Sequence, residues 1–239
     1  MNLLGKKVAV YGLGVSGLAV INFLLDKGLS ELIIVNSGTI ESWSIPKLPE
    51  HLNVQKVLEE ESDEVFASCD LIILSPGIPR EIKYLKKALS REIPLWNEVE
   101  LAFTYFKGKI IAVTGTNGKT TTVTFLHQLF LDLGKKTFLG GNIGIPFVNA
   151  LGPESFEYAI LELSSFQCES LDKFKAQSNI ILNVYDNHGE RYDDMENYRQ
   201  AKWMMVKNTT AEDVVYIGDC VGEKPFASIG GDIIQIAKD

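Results

Sequence analysis

Short apolar runs recur along the chain, each followed by a glycine or polar break and then by apolar residues at helical spacing. Lys7 to Tyr11 reads as a strand, broken by Gly12-Leu13-Gly14-Val15-Ser16-Gly17, after which Leu18, Ile21, Leu24 and Leu25 fall on one helical face. Leu32 to Val35 and Leu71 to Leu74 read as further strands, the latter ending in Ser75-Pro76-Gly77. Asn97 to Lys107 reads as a helix leading into Gly108. A second series then opens with the strand Ile110 to Val113, breaks at Gly115, and resumes at Gly118-Lys119-Thr120 with an amphipathic helix ending near Leu133. Tyr158 to Leu161 and Ile180 to Leu182 fit central strands, Asp194 to Lys207 a helix, and Val214 to Ile217 another strand. Strands alternating with helices imply parallel, doubly wound sheets, here two in series over 1–107 and 108–239.

The break after Val113 carries the strongest chemistry. Strand, glycine turn, Lys-Thr and helix form a phosphate cradle: loop N–H groups and the helix N-terminus face the anion, Lys119 reaches the outer phosphates, and Thr120 can ligate Mg²⁺. The cradle spans Gly115, Thr116, Asn117, Gly118, Lys119, Thr120 and Thr121. It is shorter than the usual G-x-x-x-x-G-K-[ST], with Val113 where that pattern wants glycine. An ordinary strand–helix turn with a solvated lysine is the alternative.

Gly12, Gly14 and Gly17 fit G-x-G-x-x-G, which suggests a diphosphate on a helix N-terminus at Gly14, Val15, Ser16 and Gly17. A nicotinamide dinucleotide would also want a carboxylate at the end of the second strand, where this chain has Asn36 and Ser37. Another nucleotide diphosphate fits as well, and so does plain helix–strand packing.

The 239 residues carry a net charge of −8, which disfavours general nucleic-acid binding. Hydrophobic content of 46% and charged content of 23% are those of an ordinary globular protein. Cys69, Cys168 and Cys220 show no metal-ligand spacing and no disulfide framework, so a reducing cytoplasm is expected. The N-terminus lacks the apolar length of a signal peptide, and no membrane span is expected.

Three more segments complete a resemblance. They are Gly140-Gly141-Asn142-Ile143-Gly144, Leu161-Glu162-Leu163-Ser164-Ser165-Phe166-Gln167, and Leu182 to His188 leading on to Tyr198-Arg199-Gln200-Ala201-Lys202. With the cradle, and in this order, they resemble the ATP-dependent Mur ligases of bacterial peptidoglycan synthesis. The Glu-Leu-Ser-Ser-Phe-Gln string is similar to the branch that takes D-glutamate. The resemblance implies a Rossmann-like N-terminal domain binding UDP-N-acetylmuramoyl-L-alanine and a P-loop-type mononucleotide-binding α/β domain binding ATP. The family's third domain, which takes the amino acid, would be absent. It further implies an acyl phosphate on the UDP-sugar's carboxylate, attacked by the amine of D-glutamate, in a cytoplasmic monomer.

Residue by residue, the resemblance places Lys119 and Asn142 at the ATP phosphates. Thr120 and Glu162 would hold one Mg²⁺; His188 and a carbamylated Lys202 would hold a second. The UDP-sugar would meet Asn36, Ser37, Ser75, Pro76 and Gly77, with Ser164 and Ser165 lining its channel. The departures are Asn187 in place of the acid before the histidine, and Asn36-Ser37-Gly38 in place of Asp-Thr-Arg. Simpler roles compete: a lysine partner for Glu162, a structural His188, a solvated face for Lys202, core positions for Phe125, Phe130 and Phe166, and plain surface for the acidic run Glu59 to Glu64. A nucleotide-binding module without catalysis and a nicotinamide oxidoreductase are the competing functions.

Overall fold

The computed structural model describes residues 2–186, 192, 194–223 and 230–236. The chain divides into two compact units, Met1–Tyr105 and Phe106–Asp239.

The first unit runs β1 (Lys7–Tyr11), α1 (Val15–Leu24), β2 (Glu31–Asn36), β3 (Val54–Leu58), α2 (Asp63–Phe66), β4 (Leu71–Leu74), α3 (Lys86–Ser90), β5 (Leu95–Asn97) and α4 (Glu98–Tyr105). Its sheet has the order β3-β2-β1-β4-β5, and every pairing is parallel. Side chains alternate between two apolar layers. Val8 and Val10 pack with Val20, Ile21 and Leu24 of α1, while Ala9 and Tyr11 pack with Phe66, Leu85 and Ala88. Burial on both faces explains why the central strands read as unbroken apolar runs. The winding reverses between β1 and β4, and the loops after those strands carry Gly12 and Ser75 to the crevice where ligands of such sheets bind.

The second unit runs β6 (Lys109–Thr114), α5 (Lys119–Asp132), β7 (Thr137–Gly141), β8 (Tyr158–Glu162), α6 (Ser165–Glu169), β9 (Ser178–Asn183), α7 (Met195–Trp203), β10 (Val214–Asp219) and β11 (Asp232–Gln235). Its parallel sheet has the order β11-β10-β9-β6-β8-β7. Ile111, Val113, Ile160 and Val123 of α5 form one core, with Leu126, Phe130, Ile180 and Leu182 packed against it. The centre of the sheet therefore delivers three C-terminal strand ends side by side: the glycine loop after β6, Glu162 ending β8, and Asn183 ending β9.

Several expectations are corrected. β3, β5 and β11 were not foreseen, and β7 absorbs Gly140 and Gly141. Helix α7 starts one residue later than expected, because Asp194 is its N-cap and accepts from the Asn197 N–H at 2.7 Å; from Met204 to Val206 the chain tightens into a 3₁₀ turn. Phe125 is not core: it stands 66% exposed on α5, whereas Phe130 packs edge-on against Tyr158. Glu59 in the acidic run accepts from the Tyr11 hydroxyl at 2.8 Å. No described helix is long and apolar enough to cross a membrane.

Candidate nucleotide site

The loop between β6 and α5 turns at Gly118, the N-cap of α5, whose φ of 84° is left-handed and suits glycine. No side chain caps the helix there, so its first N–H groups have no side-chain acceptor. Lys119 folds back over the loop and donates to the Gly115 carbonyl at 2.8 Å and the Thr116 carbonyl at 3.0 Å. Lys202, on α7, donates to the same Gly115 carbonyl at 3.1 Å, and its ammonium lies 4.3 Å from the centre of the Tyr198 ring. Burial lowers the pKa of Lys119, and the neighbouring charge of Lys202 adds to the effect. Lys202 is 1% exposed, and burial brings it down to about 8. A solvated face is therefore the wrong description of Lys202, and Lys119 is half-buried and engaged.

Beside the loop, Glu162 is 3% exposed. Its Oε2 accepts from the Thr120 hydroxyl at 2.6 Å and its Oε1 from the Asn142 amide at 2.8 Å. The Asn142 N–H also donates to the Glu162 carbonyl at 2.8 Å. Both side-chain hydrogen-bond partners are neutral, and among the described residues no lysine forms an ion pair with Glu162, although its charge acts on Lys119 nearby. A buried carboxylate next to a hydroxyl, both hard oxygen donors, suits Mg²⁺. Among the described residues, no group of three or more His, Cys, Asp or Glu side chains that could hold a metal occurs. His188, with Asn187 and Glu190, lies outside the described residues.

Other candidates fall elsewhere. Ser164 is the N-cap of α6; it accepts from the Gln167 N–H at 3.2 Å, and Gln167 Oε1 accepts from the Ser164 N–H at 3.0 Å, completing a capping box. Ser165 is buried in the first turn of the same helix. Thr121 stands exposed on the first turn of α5. The residue that the motif reading passed over is Asn183, whose Oδ1 accepts from the N–H groups of both Thr116, at 3.1 Å, and Asn117, at 2.9 Å. Its signal in the sequence was a lone amide closing an apolar strand.

In the first unit, a Cβ on Gly17 would collide with the Gly12 carbonyl, and one on Gly12 would lie 2.6 Å from Ser75 Oγ. These two glycines serve close packing. Gly14, by contrast, opens α1 with free space around it, next to exposed Val15 and half-buried Ser16. Ser75 Oγ donates to the Gly12 carbonyl at 3.2 Å, tying the two loops of the crevice together; Pro76 and Gly77 follow it. Asn36 ends β2, exposed Ser37 follows it, and the Ser37 carbonyl accepts from Trp43 Nε1 at 3.0 Å.

Residues 113–224 match the Mur ligase middle domain, and residues 6–97 match the Mur ligase MurD-like N-terminal domain. The chain belongs to the Mur ligase family. Curated relatives include the UDP-N-acetylmuramoylalanine–D-glutamate ligases of Lachnoclostridium phytofermentans (39% identity over 89% of this chain and 47% of the relative) and Alkaliphilus oremlandii (38%, over 91% and 48%). The chain thus spans about half the length of the curated Mur ligases it matches. Among solved structures, the UDP-N-acetylmuramate:L-alanyl-γ-D-glutamyl-meso-diaminopimelate ligase from Neisseria meningitides shares the fold. Its TM-score is 0.54 at 14% identity, covering 96% of this chain and 77% of that one.

Proposed function

We propose that this chain supplies the ATP site and the UDP-sugar site of a cytoplasmic, monomeric ligase that joins D-glutamate to UDP-N-acetylmuramoyl-L-alanine. The Thr120–Glu162–Asn142 cluster beside the Gly115–Thr121 loop carries the reading, because it sets hard oxygen donors next to a phosphate cradle, half-buried Lys119 and buried Lys202. ATP would supply the phosphoryl group that converts the sugar's carboxylate into an acyl phosphate, with Mg²⁺ balancing the charge.

The chain's own groups then have distinct tasks. Lys119 leaves its loop carbonyls for the outer phosphates, and its charge offsets the repulsion between carboxylate and triphosphate. Thr120 and Glu162 would hold Mg²⁺, with Asn142 fixing the carboxylate's orientation. Lys202, together with His188, would serve a second ion. A buried lysine with a pKa near 8 keeps a larger neutral fraction than an exposed one, which favours carbamylation of its amine. Gly14 to Gly17, Asn36, Ser37 and the Ser75–Gly77 loop would receive the UDP portion at the crevice between β1 and β4. Ser164 acts on this reading through the start of α6. Calorimetric titration with ATP, with and without Mg²⁺, tests the proposal: Mg²⁺-dependent binding supports it, and no binding in either condition overturns it.

A further inference from the structure

We infer that Asn183 is a positioning residue that withholds the Thr116 and Asn117 amides from the phosphates, leaving the cradle to the amides at the start of α5. The inference rests on the ATP reading of this loop. The register of β6 on β9 pairs Thr114 with Ile181. One rung further, the Thr116 N–H reaches the Asn183 carbonyl at 3.0 Å, so the ladder continues past the strand end. The Asn183 side chain then acts as a further peptide group. Its oxygen accepts from Thr116 and Asn117, and its Nδ2 donates to the Asn117 carbonyl at 3.2 Å. Thr116 is held on its other side as well: its Oγ1 accepts from the Tyr185 N–H at 3.0 Å and lies 3.3 Å from the Tyr198 hydroxyl.

A backbone N–H with a good acceptor has little to gain from a phosphate oxygen, because one bond only replaces another. The start of α5 is different, since Gly118 provides no side-chain cap for the first-turn N–H groups. The loop is therefore divided. Its first half is fastened to β9, and its second half presents first-turn N–H groups that have no side-chain cap among the described residues. An amide side chain is needed for this, since it alone offers an acceptor for the Thr116 and Asn117 N–H groups and a donor for the Asn117 carbonyl.

The test is amide exchange and chemical-shift mapping by ¹⁵N NMR on the 239-residue chain, with ATP and Mg²⁺ as the probe. The Thr116 and Asn117 amides should exchange slowly without nucleotide and move little on its addition, while those of Lys119 to Thr121 should shift most. Asn183→Ala should expose the Asn117 amide to exchange, while the Thr116 N–H keeps the main-chain Asn183 carbonyl, and it should weaken ATP binding about tenfold by loosening the loop. Binding of UDP-N-acetylmuramoyl-L-alanine should stay unchanged. Asn183→Asp keeps the acceptor, so it should retain the slow exchange, which a general loss of packing would not spare. Wild-type Thr116 and Asn117 amides that shift as much as those of Lys119 to Thr121 overturn the inference, as does an Asn183→Ala chain with wild-type ATP affinity. A wild-type chain that binds no ATP overturns the site reading itself, and this inference with it.

Discussion

Replacing Lys119 by alanine separates binding from folding. In the structure its ammonium holds two loop carbonyls, but one of them, Gly115, keeps a second donor in Lys202. The deletion therefore leaves one acceptor without its lysine partner, and it removes a repulsion between two neighbouring ammonium groups. The net change in folding stability should stay within about 1 kcal/mol. Binding should respond far more strongly. A partly buried, charge-assisted contact to phosphate contributes on the order of 2–4 kcal/mol, which is about 30- to 1,000-fold in Kd. Calorimetric titration of wild type and variant with ATP and Mg²⁺, alongside thermal unfolding of both, gives the two numbers. Equal ATP affinity would refute the phosphate-cradle assignment, and a weakened affinity that merely follows a large loss of stability would refute this division of roles.

Lys202 should make stability depend on pH. Its folded pKa, about 8, lies below the ordinary 10.5, so the unfolded chain binds more protons between those values. Stability should therefore rise with pH across that window, by at most about 3 kcal/mol from this group; Lys202→Met should flatten that part of the profile in denaturant titrations. Gly17→Ala should destabilise the first unit by about 1–3 kcal/mol through its collision with the Gly12 carbonyl. Gly14→Ala should cost less than about 1 kcal/mol, yet reduce UDP-sugar affinity in a thermal-shift assay, because its surroundings are open. Ser164→Ala should cost about 1 kcal/mol by removing the capping box, measured by chemical unfolding.

Most central strands were legible because their apolar runs are buried on both faces, as in β1, β2, β4 and β8; β9 was marked by Ile180 to Leu182 alone. The strands that escaped notice are short or lie at edges. β3 buries Val57 fully but leaves Gln55 and Lys56 exposed, β5 spans Leu95–Asn97, and β11 is exposed along its length. Such segments take their strand conformation from a neighbour's ladder, which composition does not reveal. Phe125 misled for a related reason: helical spacing marks an apolar side chain without saying that the sheet reaches it. In the site, Gly115 to Thr121 could be read from a motif because its spacing is local, whereas Glu162 was marked by the resemblance of its segment to the Mur ligases. Asn183 could not, since its meaning comes from the sheet order that sets β9 beside β6. The desolvation of Lys202 likewise follows from the seating of α7.

The most direct measurement is a calorimetric titration of the 239-residue chain with ATP in the presence of Mg²⁺, repeated on Glu162→Gln. The wild-type chain should bind one ATP with an affinity that falls when Mg²⁺ is removed, and Glu162→Gln should lose most of that Mg²⁺ dependence while staying folded. ATP binding with the same Mg²⁺ dependence in both proteins would contradict the metal-assisted phosphate site at the ends of β6 and β8.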